Sequence, residues 1–175
     1  LPYFIGLEMG HFREEGLDVE LINFKSTTEM MAPLGNGDLD VGGGGPTAAL
    51  YNAQARGLLV KAVADKASVR GIYSPLTILI RSELVKSGAY KTFSDLKGRN
   101  FGSISPGGGG ELLVHKVMQK GGLTYDDAKV TFLAPPQLFT AMQNGALDAT
   151  METEPFGTVL VGTGAAVELV KCGDV

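Results

Sequence analysis

Apolar positions in the first quarter of the chain follow helical spacing and then strand-like alternation. Residues 3–15 carry apolar side chains at helical spacing with charged residues between them, which predicts a helix. Gly16 is suited to end it, because glycine adopts the left-handed conformation without a steric penalty. Residues 19–24 then predict a strand, and Ser26 precedes a second predicted helix that runs to about Asn36.

The next elements are shorter and are marked by prolines and glycines. Pro33 lies inside the second predicted helix, where it removes a backbone donor, so we expect a kink or a later start there. A short strand is predicted at 39–42. Pro46 suits the first position of a helix that continues to about Ala55. A further strand is predicted at 59–64.

The second half of the chain alternates strands and helices more clearly. Residues 76–81 form a continuous apolar run, which is typical of a strand that is buried on both faces. Strands that alternate with helices predict a mainly parallel sheet. The remaining predicted elements are a strand at 100–104, a helix at 111–120, a strand at 129–133, a helix that Pro136 opens and a strand at 147–151.

One segment of the chain occurs twice. Residues 34–46 read LGNGDLDVGGGGP, and residues 142–155 read MQNGALDATMETEP. Each copy has an Asn-Gly turn, then Leu-Asp, then small or apolar residues and a proline. Asp40 and Asp148 occupy equivalent positions, so we interpret both as structural residues at the start of a strand. Two similar α/β units predict two lobes with a cleft between them.

The repeat suggests how the chain divides into lobes. We expect lobe 1 to span residues 1–80, to be incomplete and to be rejoined by residues 163–175, and we expect lobe 2 to span residues 81–162. The segment 66–98 belongs to neither copy. Its strand at 76–81 is interpreted as a crossing between the lobes, and the alternative is a seventh strand of a single sheet.

Composition narrows the class of protein. The 175 residues are 44% hydrophobic and 19% charged, which is ordinary for a globular protein. A net charge of −4 without a cluster of Lys and Arg gives no footprint for nucleic acid. The sequence contains no run of about 18 apolar residues, which is the length that a membrane-spanning helix needs. The single cysteine, Cys172, permits no disulfide within the chain.

Two glycine runs, at 42–45 and 107–110, each follow a predicted strand and precede a predicted helix. Such loops let several backbone N–H groups converge at a helix N-terminus, where an anion binds without Lys or Arg. Thr47, Ser103 and Ser105 add hydroxyl groups nearby. We interpret the pair of loops as a binding site, and the alternative is that the glycines only permit tight packing or flexibility.

A dinucleotide site is the rival interpretation of the first loop. Gly43-x-Gly45-x-x-Ala48 matches the dinucleotide fingerprint, and Asp65 follows at the expected distance. Pro46 lies inside the fingerprint, which argues against a dinucleotide site, and such a site would not explain the repeated segment.

Catalytic groups are scarce in this sequence. The two histidines, His11 and His115, lie on predicted helices and are interpreted as solvated, and no spacing of metal ligands occurs. We therefore predict a protein that is not an enzyme and that has no cofactor and no metal. Glu154 is different, because it precedes Pro155 where a strand ends, at the edge at which open α/β sheets bind ligands. We interpret it as a ligand contact, and the alternative is a solvated loop residue.

The chain also resembles a known family. LPYFIGLEMGHFREEGLDVELINF at 1–24 resembles the opening of the substrate-binding proteins of ABC importers for sulfonates, nitrate, taurine and thiamine pyrimidine precursors. NGDLDVGGGGPTAAL, TFSDLKGRNFGS and NGALDATMETEP are similar to later blocks of that family in the same order. The resemblance covers essentially the whole chain.

This resemblance implies a two-lobed α/β fold of the type II periplasmic-binding kind, with a mainly parallel sheet flanked by helices in each lobe. It implies a small anionic or polar ligand in the cleft, an ABC permease as partner, and a monomer that is periplasmic or extracellular and membrane-associated. The family pattern has a strand before Leu1 and a region after Val175, so we expect a fragment or an incomplete first lobe. The implied ligand contacts are Tyr3, Ser26, Thr27, Gly44, Gly45, Thr47, Ser105, Gly107, Gly108, Gly109, Gly110 and Glu154.

A second class of function stays open at this point. The same fold also serves as the ligand-sensing effector domain of transcription regulators and receptors. A dinucleotide-dependent oxidoreductase is the third interpretation.

Overall fold

The computed structural model describes residues 2–65 and 74–174. One five-stranded sheet lies in the second of these ranges. Its strands are β1 (Leu76–Arg81), β2 (Asn100–Ser103), β3 (Lys129–Phe132), β4 (Ala149–Thr153) and β5 (Ala166–Lys171). Their order across the sheet is β3-β2-β4-β1-β5.

The direction of the strands differs in part from the prediction. β2 runs parallel to β3 and to β4, as the alternation of strands and helices predicts. β1 runs antiparallel to β4 and to β5, so the sheet is mixed. The alternation rule fails for β1 because it is followed by a short helix rather than by a crossover that brings the chain back in the same direction.

The helices are α1 (Pro2–Glu8), α2 (His11–Glu14), α3 (Thr27–Asn36), α4 (Ala48–Ala55), α5 (Ser82–Lys86), α6 (Gly109–Lys120), α7 (Pro135–Gln143) and α8 (Phe156–Gly162). Short 3-10 helices occur at Phe93–Leu96, Tyr125–Asp127 and Cys172–Asp174. No helix in the described ranges is both long enough and apolar enough to cross a membrane.

The core of the protein surrounds this sheet. Ile78, Leu79 and Ile80 of β1 are at most 1% exposed, which confirms the prediction of a strand buried on both faces. Alternate residues point to opposite faces, so Ile78 and Ile80 join the cluster that includes Phe101 and the apolar face of α6. Leu79 joins a second cluster with residues of α7 and α8.

Residues 2–65 form helices α1 to α4, and within this range no residue lies in a strand. The strands predicted at 19–24, 39–42 and 59–64 are therefore absent from the described structure. A strand becomes stable only when neighbouring strands take up its backbone hydrogen bonds, and this range supplies none. Apolar side chains of the third segment remain in solvent, with Leu59 95% and Val63 83% exposed.

Several helix boundaries also differ from the predictions, and α6 begins at Gly109 rather than at residue 111, while α7 begins at Pro135 rather than at Pro136. The helix predicted at 3–15 is divided into α1 and α2, because Gly10 adopts a left-handed conformation with φ of 80°. The helix predicted to begin at Pro46 begins at Ala48, since Thr47 caps it through a hydrogen bond from the amide of Leu50.

The end of the first helical segment and the start of α3 follow the glycine and serine signals in the sequence. Gly16 has a positive φ of 73°, as expected for the end of the first helical segment. α3 begins directly after Ser26, so Pro33 does not delay its start.

The sheet takes strands from both sides of the boundary predicted at residue 80. β1 ends at Arg81, and β5 lies within the 163–175 segment that was assigned to lobe 1. Residues 66–73 of the segment that belongs to neither copy lie outside the described residues. The division of the chain into lobes remains a prediction.

Candidate functional site

The two glycine runs meet in the folded chain. We call residues 42–47 the first glycine loop, residues 105–110 the second glycine loop, and the two together the two-loop site. The amide of Ala48, directly after the first loop, donates a hydrogen bond of 2.9 Å to the carbonyl of Gly107. A Cβ added to Gly107 would lie 3.2 Å from the Cβ of Ala48. Segments about 60 residues apart in sequence thus touch at two helix N-termini.

Side chains from α1 and α3 pack against the first loop. A Cβ added to Gly43 would lie 2.5 Å from Cε2 of Tyr3, and one added to Gly44 would overlap the hydroxyl of Thr27. These contacts require glycine, because a larger residue would displace Tyr3 or Thr27. Gly45 is different, since nothing lies within 4 Å of the position of its Cβ. The structure therefore brings Tyr3 and Thr27 together with this loop.

Two of the predicted hydroxyl groups are engaged in helix caps. The Thr47 side chain is 6% exposed and accepts from the amide of Leu50 at 3.3 Å. Ser26 accepts from the amide of Glu29 at 3.4 Å at the start of α3. Both side chains fix the direction from which their helices approach the loop.

The second loop leads from β2 into α6. Gly107 has a φ of 69°, in the left-handed region, and Gly108 caps α6. A Cβ added to Gly108 would lie 3.3 Å from Oγ of Ser105, which places this hydroxyl beside the loop. Gly110 is buried, and a Cβ there would overlap Cε of Met151. The N–H groups in the first turn of α6 have no partner within the helix.

Sequence reasoning missed Glu111, whose carboxylate lies in the second loop. Its Oε2 accepts a short hydrogen bond from the amide of Gly107, and its Oε1 accepts from the Tyr125 hydroxyl at 2.7 Å. The Tyr125 ring stacks on His115, with centroids 4.2 Å apart and planes 14° apart. Burial and the contact with Glu111 raise the pKa of Tyr125 above its ordinary value. The signal was available, because a glutamate at the third position of a helix is typical of a capping box.

Glu154 lies at the same edge of the sheet as the second loop. β2 and β4 run parallel, so Ser103 and Thr153 both end at this edge. The exposed carboxylate of Glu154 accepts from the amide of Thr158 at 3.2 Å in the first turn of α8. Its role as a ligand contact remains a prediction.

Glu152, two residues earlier on β4, is a second group that sequence reasoning missed. Its side chain is 0% exposed, and burial raises its pKa to about 7. Oε1 accepts from the Thr150 hydroxyl at 3.4 Å, while Oε2 has no partner among the described residues. A carboxyl buried in this way is stable in its protonated form.

The other candidate groups lie apart from this arrangement. His11 is exposed and lies 3.4 Å from the Glu14 carboxylate. Across residues 2–65 and 74–174 no cluster of three or more His, Cys, Asp or Glu could hold a metal ion. The dinucleotide fingerprint needs a strand before its glycines, and residues 39–42 do not lie in one.

The chain matches one family model and is similar to several curated proteins. The model of the NMT1-like family matches residues 1–175. A protein of Brucella abortus (strain 2308) whose name is "Putative binding protein" is 27% identical over 171 residues, which cover 97% of this chain and 49% of that protein. The chain thus spans about half the length of the curated relatives that it matches.

Solved structures share the fold. A protein from Bordetella bronchiseptica RB50 is 26% identical with a TM-score of 0.75, over 97% of this chain and 52% of that chain. The alkanesulfonate-binding protein SsuA from Xanthomonas axonopodis pv. citri is 23% identical, with a TM-score of 0.70, over 97% and 56%. The nitrate-binding protein NrtA from Synechocystis PCC 6803 is 16% identical, with a TM-score of 0.68, over 98% and 48%. The chain therefore has the α/β fold of type II periplasmic binding proteins, as predicted.

Proposed function

The chain belongs to the NMT1-like family, and on that premise we propose that it is part of a solute-binding protein of an ABC importer. The ligand is a small anionic or polar molecule of the sulfonate, nitrate, taurine or pyrimidine type. The similarity to sulfonate-binding and nitrate-binding proteins supports this class of ligand. The protein acts by binding and not by catalysis.

The observation that carries the proposal is the hydrogen bond between Ala48 and Gly107. It joins the first glycine loop to the second, and each loop leads into the N-terminus of a helix of eight or more residues. A ligand between the loops would be bound by backbone N–H groups from both, with hydroxyl groups of Thr27 and Ser105 nearby. Anions bind at such places without a cationic side chain.

Binding of the ligand is then coupled to closure of the cleft around it. A ligand that contacts both loops favours the arrangement in which the loops are close, because it gains all of its hydrogen bonds only there. The closed form is the one that a membrane permease recognises. This proposal places the full-length protein in the periplasm or at the outer surface of the cell, as a monomer with two lobes, and Glu154 contributes from the end of β4.

A ligand screen by thermal shift of the full-length protein tests this function. We expect stabilisation by at least one of a panel of alkanesulfonates, nitrate, taurine, carboxylates and pyrimidines. A ligand at 100 times its Kd stabilises by about 2.7 kcal/mol. NAD and FAD are included as the competing class. No shift with the panel, together with a clear shift for NAD or FAD, would overturn the proposal.

Gly108→Val tests whether the two-loop site binds the ligand. A side chain at Gly108 prevents close approach to the loop, so we expect Kd for the panel ligand to rise at least about tenfold. Gly162→Val is the matched control, because nothing lies within 4 Å of the Gly162 Cβ position at the end of α8. Equal changes in Kd for the two variants would show that the second loop serves packing only.

A further inference from the structure

A cavity of about 600 Å³ lies at the opposite end of the sheet from the second glycine loop. The loop follows the end of β2, whereas the cavity lies where β1 ends and β5 begins. We call it the α5 cavity, and its lining includes Arg81, Ser82, Lys86, Ser87, Asn144 and Gly164. Its volume is within the roughly 300–1,000 Å³ that small-molecule sites occupy, and the two-loop site does not use it.

Arg81 provides a guanidinium that is oriented but only weakly engaged on one side. Its Nη2 donates to Oδ1 of Asp148 at 3.0 Å, which fixes the plane of the group. Its Nη1 makes only long contacts, at 3.3 Å to the carbonyl of Gly145 and at 3.8 Å to the carboxylate of Glu83. A guanidinium with donors to spare is suited to a carboxylate or a phosphate, whose oxygens match its geometry.

Lys86 adds a second positive charge to the lining of the cavity. It is exposed in the last turn of α5, which begins directly after Arg81. In residues 2–65 and 74–174 no carboxylate forms an ion pair with Lys86. Glu83 is the one acidic residue among the described residues that line the cavity, and its side chain is 77% exposed. An exposed ion pair contributes little, so an anionic ligand can displace Glu83 at small cost.

A buried hydroxyl in the wall of the cavity is a third donor. Ser82 is 5% exposed, and its amide donates to the carbonyl of Ala165 at 3.0 Å, which ties α5 to the turn before β5. Its hydroxyl has no hydrogen-bond partner among the described residues. Buried hydroxyl groups nearly always have a partner, so this hydroxyl is suited to a ligand oxygen in the cavity.

We propose that the α5 cavity is a second ligand site, which binds the carboxylate or phosphate group of a small molecule. The anionic group lies between Nη1 of Arg81 and Nζ of Lys86, and it accepts from the Ser82 hydroxyl. Glu83 turns into solvent when the ligand binds. This site is separate from the two-loop site and does not depend on the function proposed for it.

Titration with two simple anions tests this assignment. Succinate and inorganic phosphate are added to the full-length protein at low ionic strength, and amide resonances are followed by NMR. We expect saturable shifts at the amides of Ser82, Lys86 and Gly164, and the lower of the two Kd values identifies the preferred group. Saturable shifts only at the amides of Gly45 and Gly108 would overturn this proposal and support the two-loop site. No saturable shift at the cavity with either anion would also overturn it.

A matched pair of lysine variants separates binding in the cavity from a general effect of charge. Lys86→Gln should raise the Kd of the preferred anion about fivefold, because one of its two cationic partners is lost. Lys116→Gln is the control, since Lys116 is also exposed but lies on α6 outside the lining of the cavity. It should change the Kd less than about twofold. Equal changes in the two variants would show that the anion responds only to net charge, which would overturn the proposal.

Ser87→Asp provides a variant that keeps both cations. It places a carboxylate at the rim of the cavity, where it repels the anionic ligand, so we expect the Kd to rise at least as much as in Lys86→Gln. Melting temperature by circular dichroism checks that each variant is folded. An unchanged Kd in a folded Ser87→Asp protein would place the anion outside the α5 cavity and would contradict the proposal.

Discussion

The two copies of the repeated segment end a helix in the same way, but the chain that follows forms a strand in only one of them. Gly37 and Gly145 both follow a helix and both adopt a left-handed conformation, with φ of 79° and 78°. After Gly145 the chain enters β4, between β1 and β2. After Gly37 it forms no strand, and Asp40 is exposed. The turn is specified locally, because glycine at this position needs no partner, whereas the strand depends on its neighbours.

The two described ranges, residues 2–65 and residues 74–174, differ in the same way, because only the second contains paired strands. Residues 74–174 bury a sheet between helices on both faces, while residues 2–65 consist of helices and of segments that lie in no strand, with exposed apolar side chains. Most of the stability of the described structure should therefore come from the second range. The following predictions test that difference, and they are ordered from the largest expected effect to the smallest.

Truncation of one phenylalanine in each range should give the largest contrast. Phe101 of β2 is 0% exposed and belongs to the main core cluster, whereas Phe4 of α1 is 54% exposed. We expect Phe101→Ala to lower the free energy of unfolding by about 3–5 kcal/mol and Phe4→Ala by less than about 1 kcal/mol. Urea denaturation followed by circular dichroism measures both. Similar losses would mean that the first range is packed as tightly as the second.

The buried carboxyl of Glu152 should make stability depend on pH. Its pKa is raised to about 7 in the folded protein from 4.5, so the folded state favours the protonated form. The contribution of this carboxyl to the free energy of unfolding is fully present below pH 4.5 and is lost as the pH rises towards 7. The total loss is about 3 kcal/mol. We expect wild type to lose stability from pH 5 to pH 8, and Glu152→Gln to lose much less.

Glu154→Gln is the control for this pH experiment. Glu154 is exposed two residues further along the chain, at the start of α8. A difference between the slopes of the two variants, measured by thermal denaturation at several pH values, isolates the effect of burial. If Glu152→Gln and wild type lose stability in parallel, the carboxyl is ionised in the folded protein and the assignment is wrong.

The equivalent aspartates of the repeat give the most direct comparison. Asp148 accepts from Arg81 at 3.0 Å and from the amide of Asn100 at 3.0 Å, which confirms its structural role at the start of β4. Asp148→Ala leaves the half-buried guanidinium of Arg81 without its carboxylate, so we expect a loss of about 2 kcal/mol. Asp40→Ala, at an exposed position, should cost less than about 0.5 kcal/mol. Equal effects in a thermal denaturation experiment would indicate that Asp40 is also paired in the folded protein.

Local signals in the sequence predicted local features of the fold. The continuous apolar run at 76–81 predicted a fully buried strand, Gly16 predicted a helix end, and the Asn-Gly pairs that contain Gly37 and Gly145 predicted turns. The direction of β1 was not predictable, because it depends on which strands lie beside it. For the same reason, periodicity at 19–24 predicted a strand that the structure does not contain.

The candidate site was also predictable only in its local features. The two glycine runs could be found from their position between strand and helix, but their contact through Ala48 and Gly107 depends on tertiary structure. Glu111 could have been noticed from its place in the first turn of α6, since glutamate is common there. Its bond with Tyr125 joins residues on separate elements, which spacing along the chain does not reveal.

The smallest predicted effect concerns a helix cap in the first range. Ser26 accepts from the amide of Glu29 at the start of α3, and loss of such a cap costs about 1 kcal/mol. Because residues 2–65 contribute few buried side chains, we expect Ser26→Ala to act on α3 alone. Hydrogen exchange should become about fivefold faster at the amides of α3 and stay unchanged in α6. Faster exchange in both helices would show that the two ranges open together, in which case the packing around Gly43, Gly44 and Gly107 couples them more strongly than their exposure suggests.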